Sequence, residues 1–307
     1  MLESKEFEIT SNCDGLKLYG YYCADRSNVK GIVHFVHGMA EHKERYQDIM
    51  HYLSASGFAC VILDMRGHGK SVRSEDDLGY FYDAQGIDCV KDIHQVVNLI
   101  KKDHPDIPYV LFGHSMGSLL VRSYVKTYDD VEALVVCGSP SKNPMALPAL
   151  WLVKLMQKIK GDRYRSAFID KMAFSSYADK FLENYSKNVW LSKYRKNVDA
   201  YDKDPLCGFV FTLNGFENLF RLMLNVYQKK NWCCHNKRMP ITFIAGEEDP
   251  CIVSESAFKD AYHVMEEVGY QKVDHHLFKG MRHEILLEED SHVVYQYIEQ
   301  WLEANVA

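Results

Sequence analysis

Five short apolar runs, each ending in turn residues, constrain this chain more than any other feature: "GIVHFVHG" (31–38), "FACVILDMRG" (58–67), "YVLFGHS" (109–115), "ALVVCGSP" (133–140) and "ITFIAGEEDP" (241–250). Runs of this length that carry no polar alternation suit strands covered on both faces. Between several of them lie amphipathic stretches, such as Val90, Ile93, Val97 and Ile100, which share one helical face. Strand and helix in alternation predict an α/β fold with a mostly parallel sheet and right-handed crossovers. The opening stretch "FEITSNCDGLKLYGYYC" reads instead as an antiparallel hairpin at one edge of that sheet.

The rhythm breaks from 141 to 208. "NPMALPALWLVKLMQKIKG" is apolar but carries two prolines and several lysines, and it is shorter than the roughly 20 residues of a membrane span. The following residues alternate charge with Tyr, Phe and Trp. This segment predicts a helical cap or lid over a cleft, with an ordinary surface insertion as the alternative. Helical periodicity returns over 212–229 as a crossover to the next strand. The organisation expected is thus a core over 1–140, a cap over 141–208 and the rest of the core over 209–307.

Within "YVLFGHSMGSLLVRSYV" (109–125), a strand and a helix flank Gly-x-Ser-x-Gly, so the chain must reverse sharply around Ser115. Gly113 and Gly117 let strand and helix approach, and the helix N-terminus favours negative charge developing beside the serine. A serine hydroxyl needs a general base, and that base needs an orienting group. In open α/β sheets such groups gather beyond the carboxyl ends of the strands. Glu247, Glu248 and Asp249 follow "ITFIAG". Asp249, held before Pro250, is the choice for the orienting carboxylate, with Glu248 as the alternative should the register slip by one. Of His275, His276 and His283, the first two fall inside a strand-like run, whereas His283 lies past the turn at Gly280 and is the expected base. Met116, directly after Ser115, is expected to offer a backbone N–H to an oxyanion.

The order Ser115, Asp249, His283 resembles that of the α/β-hydrolase superfamily. Within it, "HGMAEHKERY" (37–46), "LDMRGHGKS" (63–71), "GHSMGS" (113–118) and "FKGMRHE" (278–284) resemble motifs of the monoacylglycerol lipase and lysophospholipase-like branch. The resemblance implies an eight-stranded, mostly parallel sheet flanked by helices, with the cap after strand 6. It implies an oxyanion hole from the Met39 and Met116 amides, and a serine esterase acting on monoacylglycerol, lysophospholipid or similar acyl esters without metal or organic cofactor. Glu41 and Arg45 are expected either to brace the first loop or to contact a polar head group. Trp151, Leu152 and Leu155, with Met145, Leu147 and Leu150, are expected to hold an acyl chain or to seal the cap on the core. Asp64, Arg66 and His68 are expected to hold a buried loop. Short-chain ester, thioester and aminoacyl or peptide hydrolysis, acyl transfer, and a non-catalytic binding protein on the same scaffold are the alternatives.

A net charge of −6 without a dense Lys/Arg block argues against nucleic acid as a partner. "MLESKEFEIT" has neither a basic n-region nor an apolar h-region, so the expected location is cytoplasmic, with transient contact at a membrane surface left open. Nine cysteines without C-x-x-C spacing suit free thiols in a reducing compartment. Neither Cys233-Cys234-His235 nor His34 with His37 has the partners a metal site needs.

Overall fold

The computed structural model describes residues 3–24, 29–83 and 85–306. Eight strands form one sheet: Glu3–Thr10 (β1), Lys17–Ala24 (β2), Ile32–Val36 (β3), Ala59–Leu63 (β4), Tyr109–His114 (β5), Ala133–Cys137 (β6), Pro240–Gly246 (β7) and Lys272–Phe278 (β8). Their order is β1-β2-β4-β3-β5-β6-β7-β8. β1 and β2 pair antiparallel, β2 meets β4 antiparallel, and the six remaining strands run parallel. The edge hairpin and the parallel core both follow the sequence pattern.

Each central strand feeds two cores. In β5, Tyr109 and Leu111 enter one apolar cluster, while Val110 and Phe112 enter another on the opposite face. Residues two apart share a face of the sheet, so a strand that is apolar throughout must be covered twice. Gln47–Ala55 (α1) and Ser291–Asn305 (α9) cover one face, with Ile49, Leu53, Val294 and Leu302 buried. Asp88–Asp103 (α2), Met116–Thr127 (α3), Leu213–Tyr227 (α7) and Glu255–Glu267 (α8) cover the other. Eleven consecutive residues of α3, Met116–Lys126, are buried, which makes it the central helix of the molecule.

Ala146–Lys160 (α4), Ala167–Ala178 (α5) and Arg195–Lys203 (α6) lie between β6 and α7. α5 begins at a Ser166 cap that accepts from Ile169 N–H, and α7 at a Thr212 cap that accepts from Gly215 N–H. α4 packs against α7 through a single side, with Ala149, Leu150 and Val153 buried. Among the described residues no helix is long and apolar enough to cross a membrane.

Candidate active site

The elbow is built by steric necessity. Ser115 has φ 53° and ψ −117°, a conformation that costs an L-residue on the order of 1–3 kcal/mol. It is held by Ser115 N–H donating to the Cys137 carbonyl at 2.9 Å and by Ser118 Oγ donating to the Ser115 carbonyl at 2.5 Å. The two glycines are obligatory for close approach. A Cβ on Gly113 would lie 2.3 Å from the Gly117 carbonyl oxygen, and one on Gly117 would lie 1.9 Å from that of Val36.

Ser115 opens on a cavity of about 420 Å³ that it shares with Met39, Met116 and His283. His283 is nearly buried, and its Nδ1–H donates to Asp249 Oδ2 at 2.9 Å, so Nε2 is the nitrogen left for proton transfer. The other oxygen of Asp249 accepts from Cys251 N–H at 2.8 Å, which fixes the carboxylate at the start of the turn that Pro250 opens. Glu247 and Glu248 are exposed, and Glu248 pairs with Lys193 at 2.7 Å. The register alternative therefore points away from His283. Among the described residues no hydrogen bond joins Ser115 Oγ to His283, a contact that commonly tightens only when substrate binds.

Glu41 organises the loop that carries Met39. Its carboxylate accepts from Gly38 N–H at 2.6 Å, Tyr46 Oη at 3.0 Å, Arg45 at 3.0 Å and His114 Nδ1 at 3.3 Å. His114, directly before the serine, donates through Nε2 to the His283 carbonyl at 3.2 Å. Both ring nitrogens thus face acceptors, an arrangement that favours the charged imidazolium. Burial alone would lower its pKa, but the Glu41 hydrogen bond and charge outweigh burial and hold it above the ordinary value. Burial likewise opposes the ionised form of Glu41, yet His114 and Arg45 keep its carboxyl well below the usual range. Beneath the loop, His37 Nε2 accepts from Met65 N–H at 2.9 Å. Asp64 accepts from Lys43 N–H and Lys70 N–H, and Arg66 donates to Asp92 at 2.7 Å. His68 is ringed by Phe81, Phe209 and Phe211. Asp64, Arg66 and His68 thus hold a buried loop.

Three expected substrate contacts, Trp151, Leu152 and Leu155, are missing from the cavity wall, and Arg45 takes the bracing one of its two expected roles. Arg45 does not reach the cavity; its guanidinium grips Glu284 (2.8 Å from Nη2) as well as Glu41, so it braces two loops. Trp151 and Leu155 face solvent at 72% and 57% exposure, and Leu152 packs on the core; none lines the cavity. Met145 and Leu147 are also exposed, and Leu150 is buried in the core. The apolar wall comes instead from Phe174 and Tyr177 of α5, Trp190, and Leu219, Phe220 and Met223 of α7. α4 turns its buried side to α7 and its remaining apolar side outward. His114, Glu284 and Trp190 escaped the sequence reading. The only signals for the first two are that they adjoin Ser115 and His283; Trp190, whose ring lies 5.0 Å from that of His283, carries none.

Two groups of metal-ligating side chains occur among the described residues: Asp249, Cys251 and His283, and, apart from them, His42, Asp204 and Cys207. Burial pushes the Cys251 thiol well up, so it stays protonated. No disulfide joins any of the nine cysteines, all of which lie among the described residues.

The sheet order, the strained serine and the supported histidine define a serine hydrolase of the α/β-hydrolase class. The chain belongs to the family described as serine aminopeptidase, S33, whose model matches residues 27–290. It is 26% identical over 306 residues to the monoglyceride lipase of Mus musculus, covering 96% of this chain and 90% of that protein. It is 25% identical to the monoacylglycerol lipase of Mycolicibacterium smegmatis, covering 90% and 89% respectively. Among solved structures, a thermostable carboxyl esterase from Bacillus coagulans in complex with glycerol superposes with a TM-score of 0.90 at 23% identity over 99% of both chains. A soluble variant of the Saccharomyces cerevisiae monoglyceride lipase in complex with a substrate analog gives 0.76 at 18% identity, over 99% of this chain and 95% of the other. The protein is therefore an ester-hydrolysing enzyme of monoacylglycerol lipase-like character.

Proposed function

We propose that Ser115, His283 and Asp249 act as nucleophile, general base and orienting carboxylate in hydrolysis of a monoacylglycerol or a similar single-chain acyl ester. The observation that carries this reading is the sharing of one cavity by a strained serine, a carboxylate-bound histidine and a wall of aromatic side chains. His283 Nε2 takes the Ser115 proton as Oγ attacks the ester carbonyl. The Met39 and Met116 amides hold the oxyanion; Met116 opens α3, so its N–H is one of the four that the helix itself leaves unsatisfied. The alcohol leaves with the proton from His283, and water activated by the same ring releases the acid. Residues 141–208 act as the cap, and its α5 supplies part of the acyl wall. Each methylene buried there contributes about 0.8 kcal/mol, so rate should rise with chain length until the cavity is full.

Initial rates on p-nitrophenyl esters from acetate to palmitate test this, with Ser115→Ala as control. A maximum at medium or long chains and a kcat loss on the order of 10⁶ in the variant are expected. A loss under tenfold removes Ser115 from its role; activity on acetate alone removes the acyl-pocket assignment. The family's description makes amide hydrolysis the second reading. Faster Ser115-dependent turnover of aminoacyl p-nitroanilides than of any ester would put that reading first.

A further inference from the structure

We propose that His42, Asp204 and Cys207 form a site for a borderline-soft divalent cation, zinc being the natural occupant, which staples the 204–208 segment to the loop bearing Met39. One nitrogen, one oxygen and one sulfur donor lie within 4.8 Å of one another there. Tetrahedral zinc needs donors about 3.3–3.8 Å apart, from bond lengths near 2.0–2.3 Å. His42 Nε2 and Asp204 Oδ2, now 2.9 Å apart across a hydrogen bond, have only to part slightly as the shared proton leaves. Three protein donors leave a fourth position to water or another small ligand.

The surroundings of these donors argue for a built site. His42 Nδ1 donates to Glu44 Oε2 at 2.6 Å while Nε2 donates to Asp204 Oδ2, so the Nε2 proton has to leave before that nitrogen can ligate; the Glu44 carboxylate behind Nδ1 is then the usual support for a metal-bound histidine. Glu44 is itself anchored, since its other oxygen accepts from Lys43 Nζ at 2.6 Å, and Lys43 reaches Asp64 at 3.0 Å. Asp204 Oδ1 accepts from Leu206 N–H at 2.8 Å, which leaves Oδ2 to face His42. Cys207 N–H donates to the Asp204 carbonyl at 3.0 Å, which folds the thiol back toward the same point. Outer-shell support of this kind is what a ligand set requires beyond the ligands themselves. A cation would displace one proton from between His42 and Asp204 and a second from the Cys207 thiol. Its effect would reach the oxyanion loop through the backbone, because Gly208 N–H donates to the Ala40 carbonyl at 2.9 Å.

The test is titration of the full chain with Co(II) and Zn(II), read by the thiolate-to-cobalt charge-transfer band and by calorimetry. The wild-type protein and Cys251→Ala should each bind one equivalent with that band, and zinc should raise their melting temperature. Cys207→Ala, with an unchanged melting temperature in the metal-free form, should lose the band and the zinc-dependent shift, and Asp204→Asn should weaken binding at least tenfold. Loss of the band in Cys251→Ala rather than Cys207→Ala would place the metal at the other cluster and overturn the proposal. So would a band that survives Cys207→Ala, or no binding in the wild type. Should Cys207→Ala fail to fold, Cys207→Ser replaces it under the same criteria.

Discussion

At the scale of single residues, the site is governed by what cannot be accommodated. Gly117 lies where a Cβ would sit 1.9 Å from the Val36 carbonyl oxygen, and backbone cannot yield as a flexible side chain would. Gly117→Ala should therefore displace the start of α3 from β3, at a cost of about 3 kcal/mol, and lower kcat/KM more than tenfold as Ser115 and the Met116 amide shift together. The urea midpoint and the ester rate measure the two effects; an unchanged midpoint would show that the elbow can relax. Asp249 and His283 were legible at this scale because each follows an apolar run that must end at the same edge of the sheet. His114 was not, since its partners Glu41 and His283 stand 73 and 169 residues away in sequence.

Among the elements, α4 carries the clearest departure from expectation. Its apolar residues occupy two sides, and only the side of Ala149, Leu150 and Val153 is buried. Trp151, Leu155 and Ile159 stay exposed, with Lys154, Lys158 and Lys160 among them. Such a mixture suits contact with an anionic lipid surface, where the rings and chains insert and the lysines meet head groups. A Trp151→Ser, Leu155→Ser variant should hydrolyse a soluble short-chain ester at the wild-type rate and lose about tenfold or more on monoacylglycerol in vesicles containing anionic lipid. Equal losses on both substrates would return these residues to a role within the fold. Helix periodicity located α2 well because one stripe of it is buried, whereas α7 is buried on all sides from Leu213 to Phe220; in α4, hydrophobicity could not tell the side facing the core from the side facing outward.

For the molecule as a whole, buried histidines make stability depend on pH. His34 and His68 are fully buried, and burial pushes the pKa of each down to about 3. The unfolded chain protonates both near an ordinary value of about 6.5, so between these limits the unfolded state binds more protons than the native one. Stability is then complete above about pH 6.5 and is lost progressively as pH falls toward 3. His114, whose pKa is raised, works in the opposite window: its contribution is present below the ordinary imidazole value and fades as pH rises through its folded value. The urea midpoint should drop from pH 7 to pH 5, and His34→Gln, which keeps a polar partner for Tyr109, should make that slope shallower. A midpoint that is flat over this range in the wild type would contradict neutral burial of these rings.

The sequence by itself determined the layered architecture, the edge hairpin and the strand–serine–helix elbow. Those features follow from local hydrophobic period, turn chemistry and the size of glycine, which act over a few residues at a time. Tertiary structure alone decided what surrounds the elbow. Which side of α4 turns outward, which side chains line the cavity, that Arg45 bridges Glu41 to Glu284, and that His42 meets Asp204 and Cys207 all depend on segments distant in the chain being packed together. No local pattern encodes those meetings, because burial and charge pairing are settled by neighbours that exist only once the chain has folded.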